Sequence, residues 1–429
     1  LLRNSVFNMG TTIGTSALGF VYWVVAARLF DAHDVGIAAA AVSAMMLAAT
    51  LANPGLHTLL VERLPSRKAG MEWSLTINVA LVTGTAAGIF AGLCGLLIVP
   101  LLSSDFDVLR HGAFAALFVV GVPLTTAATV LDYVWIAERR AGGPLVRNCV
   151  FAAVKIPVLV LPPFVALNGV GIMSSWVISL AGTAVATALL LPRLGKAYRI
   201  TFGGGWRELH AVKARLVGHH FTNLGNLIPL NMLPILVAAA LSPATAAYFY
   251  ATWRLAGLIF MVSPSIATSL FAEGANDAAG LGAQARRAVR MTLSLLLPAS
   301  AALAILGYPL LLLFGAAYAR EGFVLLLLLI ASAVPDGLGN LYLSVLRVQG
   351  RLVAAAALSI VPSLVALLLA WALMPSLQLP AVGVAWLAAR IVVAAIAAFD
   401  LRRSGIRLPV GPDGELKTTL VDSVHSAAG

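Results

Sequence analysis

Twelve apolar stretches, most of them 20 residues or longer and joined by short polar connections, leave this chain few ways to fold. A helix needs roughly 20 mostly apolar residues to cross the hydrocarbon layer, and only helices or closed barrels satisfy the backbone amides there. By that measure spans are expected near residues 5–29, 36–61, 74–99, 111–137, 145–166 and 170–191. A second set is expected near 216–240, 246–271, 288–313, 322–346, 352–373 and 381–401. Soluble domains carry about 25% charged residues. Here charged residues make up 10% and hydrophobic residues 60% of the 429. The expected fold is therefore an all-α membrane protein.

A net charge of +11 would point to nucleic acid in a soluble protein, but the position of the charges gives another meaning. Arg3, the connections after even-numbered spans (Arg139, Arg140 and Arg147 among them) and the segment from Arg402 onward carry 22 of the 28 Lys and Arg residues. The opposite side has Arg28, Arg110 and Arg320. This asymmetry places both termini in the cytoplasm, and the basic excess then faces anionic lipid headgroups rather than nucleic acid. The chain opens Leu1-Leu2-Arg3 without an initiator Met, which is compatible with a longer native N-terminus. Asn4, Ser5 and Asn8 interrupt the first apolar stretch and no cleavage-like site follows, so it reads as a span and not as a cleavable signal. Cys94 and Cys149 lie singly in apolar segments and imply neither a disulfide nor a metal site; no cofactor is expected.

The one long connection, 192–215, is basic and contains Gly203-Gly204-Gly205. It divides the chain into an N-terminal lobe (1–191, spans 1–6), a cytoplasmic linker (192–215), a C-terminal lobe (216–403, spans 7–12) and a polar tail (404–429). Ala26-Ala27-Arg28-Leu29 at the end of span 1 is echoed by Ala238-Ala239-Ala240-Leu241 at the end of span 7. Two pseudo-symmetric six-helix lobes would start on the same side and enclose a central cavity. The external connections are too short for a catalytic domain, which argues against a glycan polymerase or transferase.

Charges in hydrocarbon cost several kcal/mol, so they face a partner or a wet cavity. Lys155, Arg254 and Arg390 fall near mid-membrane, with Asp132 and Asp336; Arg28 lies at the outer end of span 1. Simple pairing would staple helices together. The cations outnumber the acids and come from both lobes, so a net-positive lumen suits an anionic, phosphate-bearing substrate. Helix breakers cluster at Asn53-Pro54-Gly55, Pro229 and Pro234, Ser263-Pro264 and Val334-Pro335-Asp336-Gly337, each expected to interrupt its span as a hinge or cavity wall. His57, Trp135, Trp253 and Trp386 read as packing residues.

Several runs resemble bacterial polysaccharide-transport flippases. They are Ala26-Ala27-Arg28-Leu29-Phe30-Asp31-Ala32-His33-Asp34-Val35-Gly36, and Asn53-Pro54-Gly55-Leu56 leading into Glu62-Arg63-Leu64-Pro65. Further on come Arg254-Leu255-Ala256 followed by Pro264 and Phe271-Ala272-Glu273, then Phe314-Gly315-Ala316-Ala317-Tyr318 and Gly350-Arg351. The resemblance implies the multidrug/oligosaccharidyl-lipid/polysaccharide exporter superfamily and alternating access. It also implies a cargo of undecaprenyl-diphosphate-linked oligosaccharide flipped across the bacterial inner membrane, alongside the glycosyltransferases and glycan polymerase of its pathway. On that reading Arg254, Lys155, Arg390 and Arg28 hold the diphosphate, and Asp132 or Asp336 couples transport to an ion. The alternative is a cation-coupled multidrug extruder. Such extruders typically carry an acid in span 1, where this chain has none before Asp31.

Overall fold

A computed structural model describes residues 2–53, 55–110, 112–140, 142–201, 230–276 and 280–403. Among them the first half comprises α1 (Leu2–Leu29), α2 (Ala32–Leu51), α3 (Leu56–Arg63), α4 (Met71–Ile98), α5 (Gly112–Ala137), α6 (Gly142–Val160), α7 (Pro162–Val165) and α8 (Gly169–Leu189). The second comprises α9 (Leu230–Ala240), α10 (Pro243–Phe260), α11 (Val262–Asn276), α12 (Leu281–Leu312), α13 (Ala316–Val348), α14 (Leu352–Leu377) and α15 (Pro380–Arg403). Ten described helical segments are long and apolar enough to cross a membrane. The protein is a multi-pass membrane protein of two helical lobes.

Helix ends repeat between the halves. Leu29 ends α1 and Ala240 ends α9; Ala32 opens α2 and Pro243 opens α10, in each case 211 residues on. The start of α10 is dictated locally: the Ser242 hydroxyl accepts the Thr245 amide at 3.1 Å, and Pro243 follows where no amide is needed. Span 2 breaks between α2 and α3, where Gly55 takes a left-handed φ of 75°. Span 8 breaks at Met261, between α10 and α11. Pro264 causes that second break, because its ring would strike the carbonyl of Phe260 and it has no N–H to offer.

Other prolines do not act this way. The expected interruption at Val334-Pro335-Asp336-Gly337 is absent, since α13 runs unbroken through Pro335. Pro234 likewise sits within the continuous α9. Their spans are gripped by neighbours, so the missing hydrogen bond does not end the helix. Pro54 and Pro229 lie outside the described residues.

The lobes meet where α10 lies along α2 and α1. In α2 four consecutive alanines, Ala38 to Ala41, are all buried, so this stretch is enclosed on every side. At Gly36 the backbones come so close that a Cβ would overlap the Pro243 carbonyl. Phe20 packs edge-on against Phe314 at 5.1 Å, and Arg28 reaches from α1 to the end of α12. These contacts close the lobe interface at the end where α1 turns into α2.

Candidate functional site: two cations at the lobe interface

Lys155 projects from α6 and is 3% exposed. Its ammonium sits 4.0 Å from the Trp176 ring centre, 4.5 Å from that of Tyr22 and 5.0 Å from that of Phe151. Ring faces attract a cation, so three aromatic side chains replace part of its water. The cage is rigid. The Tyr22 hydroxyl donates to the Ile172 carbonyl at 3.0 Å and lies 2.9 Å from the Ser175 hydroxyl.

Arg254 comes from the other lobe. Its guanidinium donates to the Tyr250 hydroxyl at 2.5 Å, one helical turn back on α10, with Cζ 4.9 Å from that ring's centre. Tyr250 in turn meets Trp23 of α1 across the interface, with ring centroids 4.6 Å apart. Trp23 is next to Tyr22, which helps cage Lys155. The two cations are thus joined by a bridge of rings, Tyr22, Trp23 and Tyr250. Among the described residues no carboxylate forms an ion pair with either. Arg254 is solvent-accessible and begins an exposed stripe along span 8 that continues through Leu258, Ser265 and Ser269. This stripe runs beside α1, whose Ser16 hydroxyl donates to the Met261 sulfur at 3.7 Å.

The remaining mid-membrane charges are paired. Arg147 on α6 grips Asp132 of α5 with both arms of its fork, Nε to Oδ1 at 2.7 Å and Nη2 to Oδ2 at 2.5 Å. Asn148 adds a donor to the same carboxylate at 3.3 Å. In the second lobe Arg390 of α15 lies 3.1 Å from Asp336 of α13, a charge contact whose N–H does not point along a hydrogen bond. The Arg390 guanidinium also stacks 4.1 Å over Trp386. Asn340 donates to Asp336 and to the buried Ser263 hydroxyl, both at 3.0 Å, and so ties the ion pair to the break in span 8. Asp132 and Asp336 lie on spans 4 and 10, and each holds one Arg and one Asn.

Of the four basic residues expected together, the structure joins Lys155 and Arg254 only. Arg390 is committed to Asp336. Arg28 lies about two turns beyond Tyr22 and donates to the carbonyls of Leu313 at 2.7 Å and Leu312 at 2.8 Å. Asn53 is buried beside the span 2 break, and its side-chain oxygen has no described partner. Tyr250 and Asn340 escaped the sequence reading, although each lies one turn from a charge already singled out. Phe151 likewise lies one turn from Lys155, whereas Trp176 gave no such signal. Arg147, read as a connection residue, is 9% exposed and lies within α6.

This architecture is that of the MOP-superfamily transporters. The lipid II flippase MurJ in its inward closed conformation superposes with a TM-score of 0.69 at 12% identity, over 92% of this chain and 87% of the other. A multidrug resistance MATE family transporter in its inward-facing conformation gives 0.68 at 14% identity, over 91% and 95%. A Pyrococcus furiosus MOP-superfamily transporter, described as having a binding pocket of reversed polarity, gives 0.64 at 15% identity, over 94% and 95%. None of the curated proteins matches in sequence. Residues 25–320 match the family model described as polysaccharide biosynthesis protein, and the chain belongs to that family.

Proposed function

We propose that the protein is a flippase for an undecaprenyl-diphosphate-linked oligosaccharide. It moves this cargo from the cytoplasmic to the periplasmic leaflet of the bacterial inner membrane, for surface polysaccharide biosynthesis. The observation that carries the reading is the juxtaposition of Lys155 and Arg254, one cation from each lobe, with no described carboxylate between them. Buried Lys155 and accessible Arg254 have no described carboxylate to neutralise them, and a diphosphate bridging the two would supply that counter-charge. Arg254 offers a planar fork for phosphate oxygens, and Lys155 adds a point charge. The glycan occupies the wet space along the exposed stripe of span 8, and the prenyl chain stays in lipid.

The family match and the fold shared with a lipid II flippase support a lipid-linked cargo. On this reading the end closed by Arg28 is the periplasmic one, since the distribution of arginine puts both termini on the cytoplasmic side. Alternating access then requires α2 and α10 to part at Gly36 and Pro243. Protein-mediated transfer of the lipid needs no chemical step, so the protein acts without catalytic residues. Asp132, the acid best placed to serve a drug extruder, is gripped on both oxygens by Arg147. In cells lacking the native protein, Arg254→Ala should reach the membrane yet leave lipid-linked glycan on the cytoplasmic leaflet. Normal export by that variant would remove Arg254 from the mechanism.

A further inference from the structure

The second lobe contains a cavity that the transport reading does not use. It lies between α12, α13 and α15, at the end away from Arg28, and measures about 220 Å³. Ala285, Leu293, Val334, Leu338 and Ala398 are among its walls, and the small alanines leave the room. The matching seam of the first lobe is filled by Trp73, Ile77, Leu131 and Leu180. Protein interiors tolerate few voids larger than a water molecule. Water needs two to four polar partners, which these apolar walls do not provide. Hydrocarbon is the filling that suits them.

The rim has a different character. Tyr342, on the wall, donates its hydroxyl to Asp400 at 2.7 Å, and Arg351 donates to the same carboxylate oxygen at 2.7 Å. Asp400 is therefore already committed. Arg286 and Arg290 directly follow the wall residues Ala285 and Val289, and Arg402 and Arg403 follow Leu401. All four reach the surface at least in part. Along the helices the cavity extends about 12 Å, from Ala285 to Leu293, and about 16 Å, from Val334 to Val345, at the usual helical rise. That is roughly half the hydrocarbon thickness, the depth of one leaflet.

We infer that this cavity holds one acyl chain of an anionic glycerophospholipid whose phosphate rests on the arginine rim. Its depth is too short for a long polyprenyl chain. Its walls include no residue of α1, α6 or α10, which carry the ring bridge between Lys155 and Arg254, so the site is separate from the cargo site. The full-length protein, stripped of lipid and titrated with phosphatidylglycerol or phosphatidylcholine, tests this by native mass spectrometry. The expected result is one phosphatidylglycerol per chain, retained about tenfold more tightly than phosphatidylcholine. Ala398→Phe fills the cavity and should abolish retention of both. Arg286→Gln combined with Arg290→Gln, at the surface, should keep chain binding but erase the preference, and decides the matter should Ala398→Phe not fold. Equal retention of the two lipids by the unaltered protein, or retention unchanged by a folded Ala398→Phe variant, would overturn the inference and leave annular lipid only.

Discussion

Arg28 Nε donates to the carbonyl of Leu313 at 2.7 Å, and its Nη2 donates to Leu312 at 2.8 Å, so the last residue but one of α1 caps the end of α12 in the other lobe. The last carbonyls of a helix lack intrahelical partners and carry the negative end of the dipole, which is what a guanidinium seeks. The contact is solvent-exposed, so it contributes about 1–2 kcal/mol rather than the value of a buried pair. Arg28→Gln should therefore raise the population opened at this end several-fold. Spin labels at the exposed positions Leu29 and Leu312 would show a longer-distance component; an unchanged distance distribution would show that Arg28 does not hold the lobes together.

Gly36 gives an independent test of the same closure. Because a side chain there meets the Pro243 backbone and not a movable side chain, Gly36→Val should favour the open state more strongly than Arg28→Gln does. The same label pair reads this, and a variant that stays closed would contradict the close approach of α2 and α10.

The Asp132–Arg147 pair is structural in this account. Removing one partner strands a buried charge, so Asp132→Ala should lower stability by about 3 kcal/mol, whereas Asp132→Leu with Arg147→Met should recover most of it. Thermal unfolding in detergent measures both. Full stability with cation-dependent efflux lost in Asp132→Asn would instead assign Asp132 to ion coupling.

Beyond span 6, residues 191–201 are strapped to α4. The Asn78 amide donates to the Arg199 and Thr201 carbonyls at 3.0 Å each, while Tyr198 donates its hydroxyl to Asn78 Oδ1 at 2.5 Å. Asn78→Ala should speed tryptic cleavage at Lys196 and Arg199 several-fold. Burial raises the Tyr198 pKa above its usual 10. The strap's contribution from Tyr198 is thus complete below pH about 10 and lost as pH climbs through the raised value. Cleavage that changed between pH 6 and 9, relative to an unstructured peptide cut under the same conditions, would contradict this.

Much of the fold was legible from hydropathy, since lipid allows only long apolar helices: ten of the twelve expected spans match described segments of spanning length, and spans 1 and 7 match the shorter apolar stretches Gly14–Leu29 and Leu230–Ala240. Proline was a less certain guide. Pro264 breaks span 8, but Pro335 lies in a helix held by the Asp336–Arg390 and Asn340–Ser263 contacts, which no local pattern encodes. The sequence singled out Asp132, Asp336 and Arg390 without their partners, and left Arg147 out of the set. Arg147 and Asp132 are fifteen residues apart, and sequence spacing does not reveal which arginine turns inward. The cage around Lys155 was invisible for the same reason, as its rings come from α1, α6 and α8.

The central claim is that Lys155 and Arg254 together hold a lipid-linked diphosphate, and binding of an undecaprenyl-diphosphate glycan to the purified protein tests it most directly. Lys155→Gln and Arg254→Gln should each weaken binding about tenfold or more, and Tyr250→Phe, which frees the Arg254 fork without removing its charge, by a smaller factor. Unchanged affinity in the folded Lys155→Gln and Arg254→Gln variants would contradict the account.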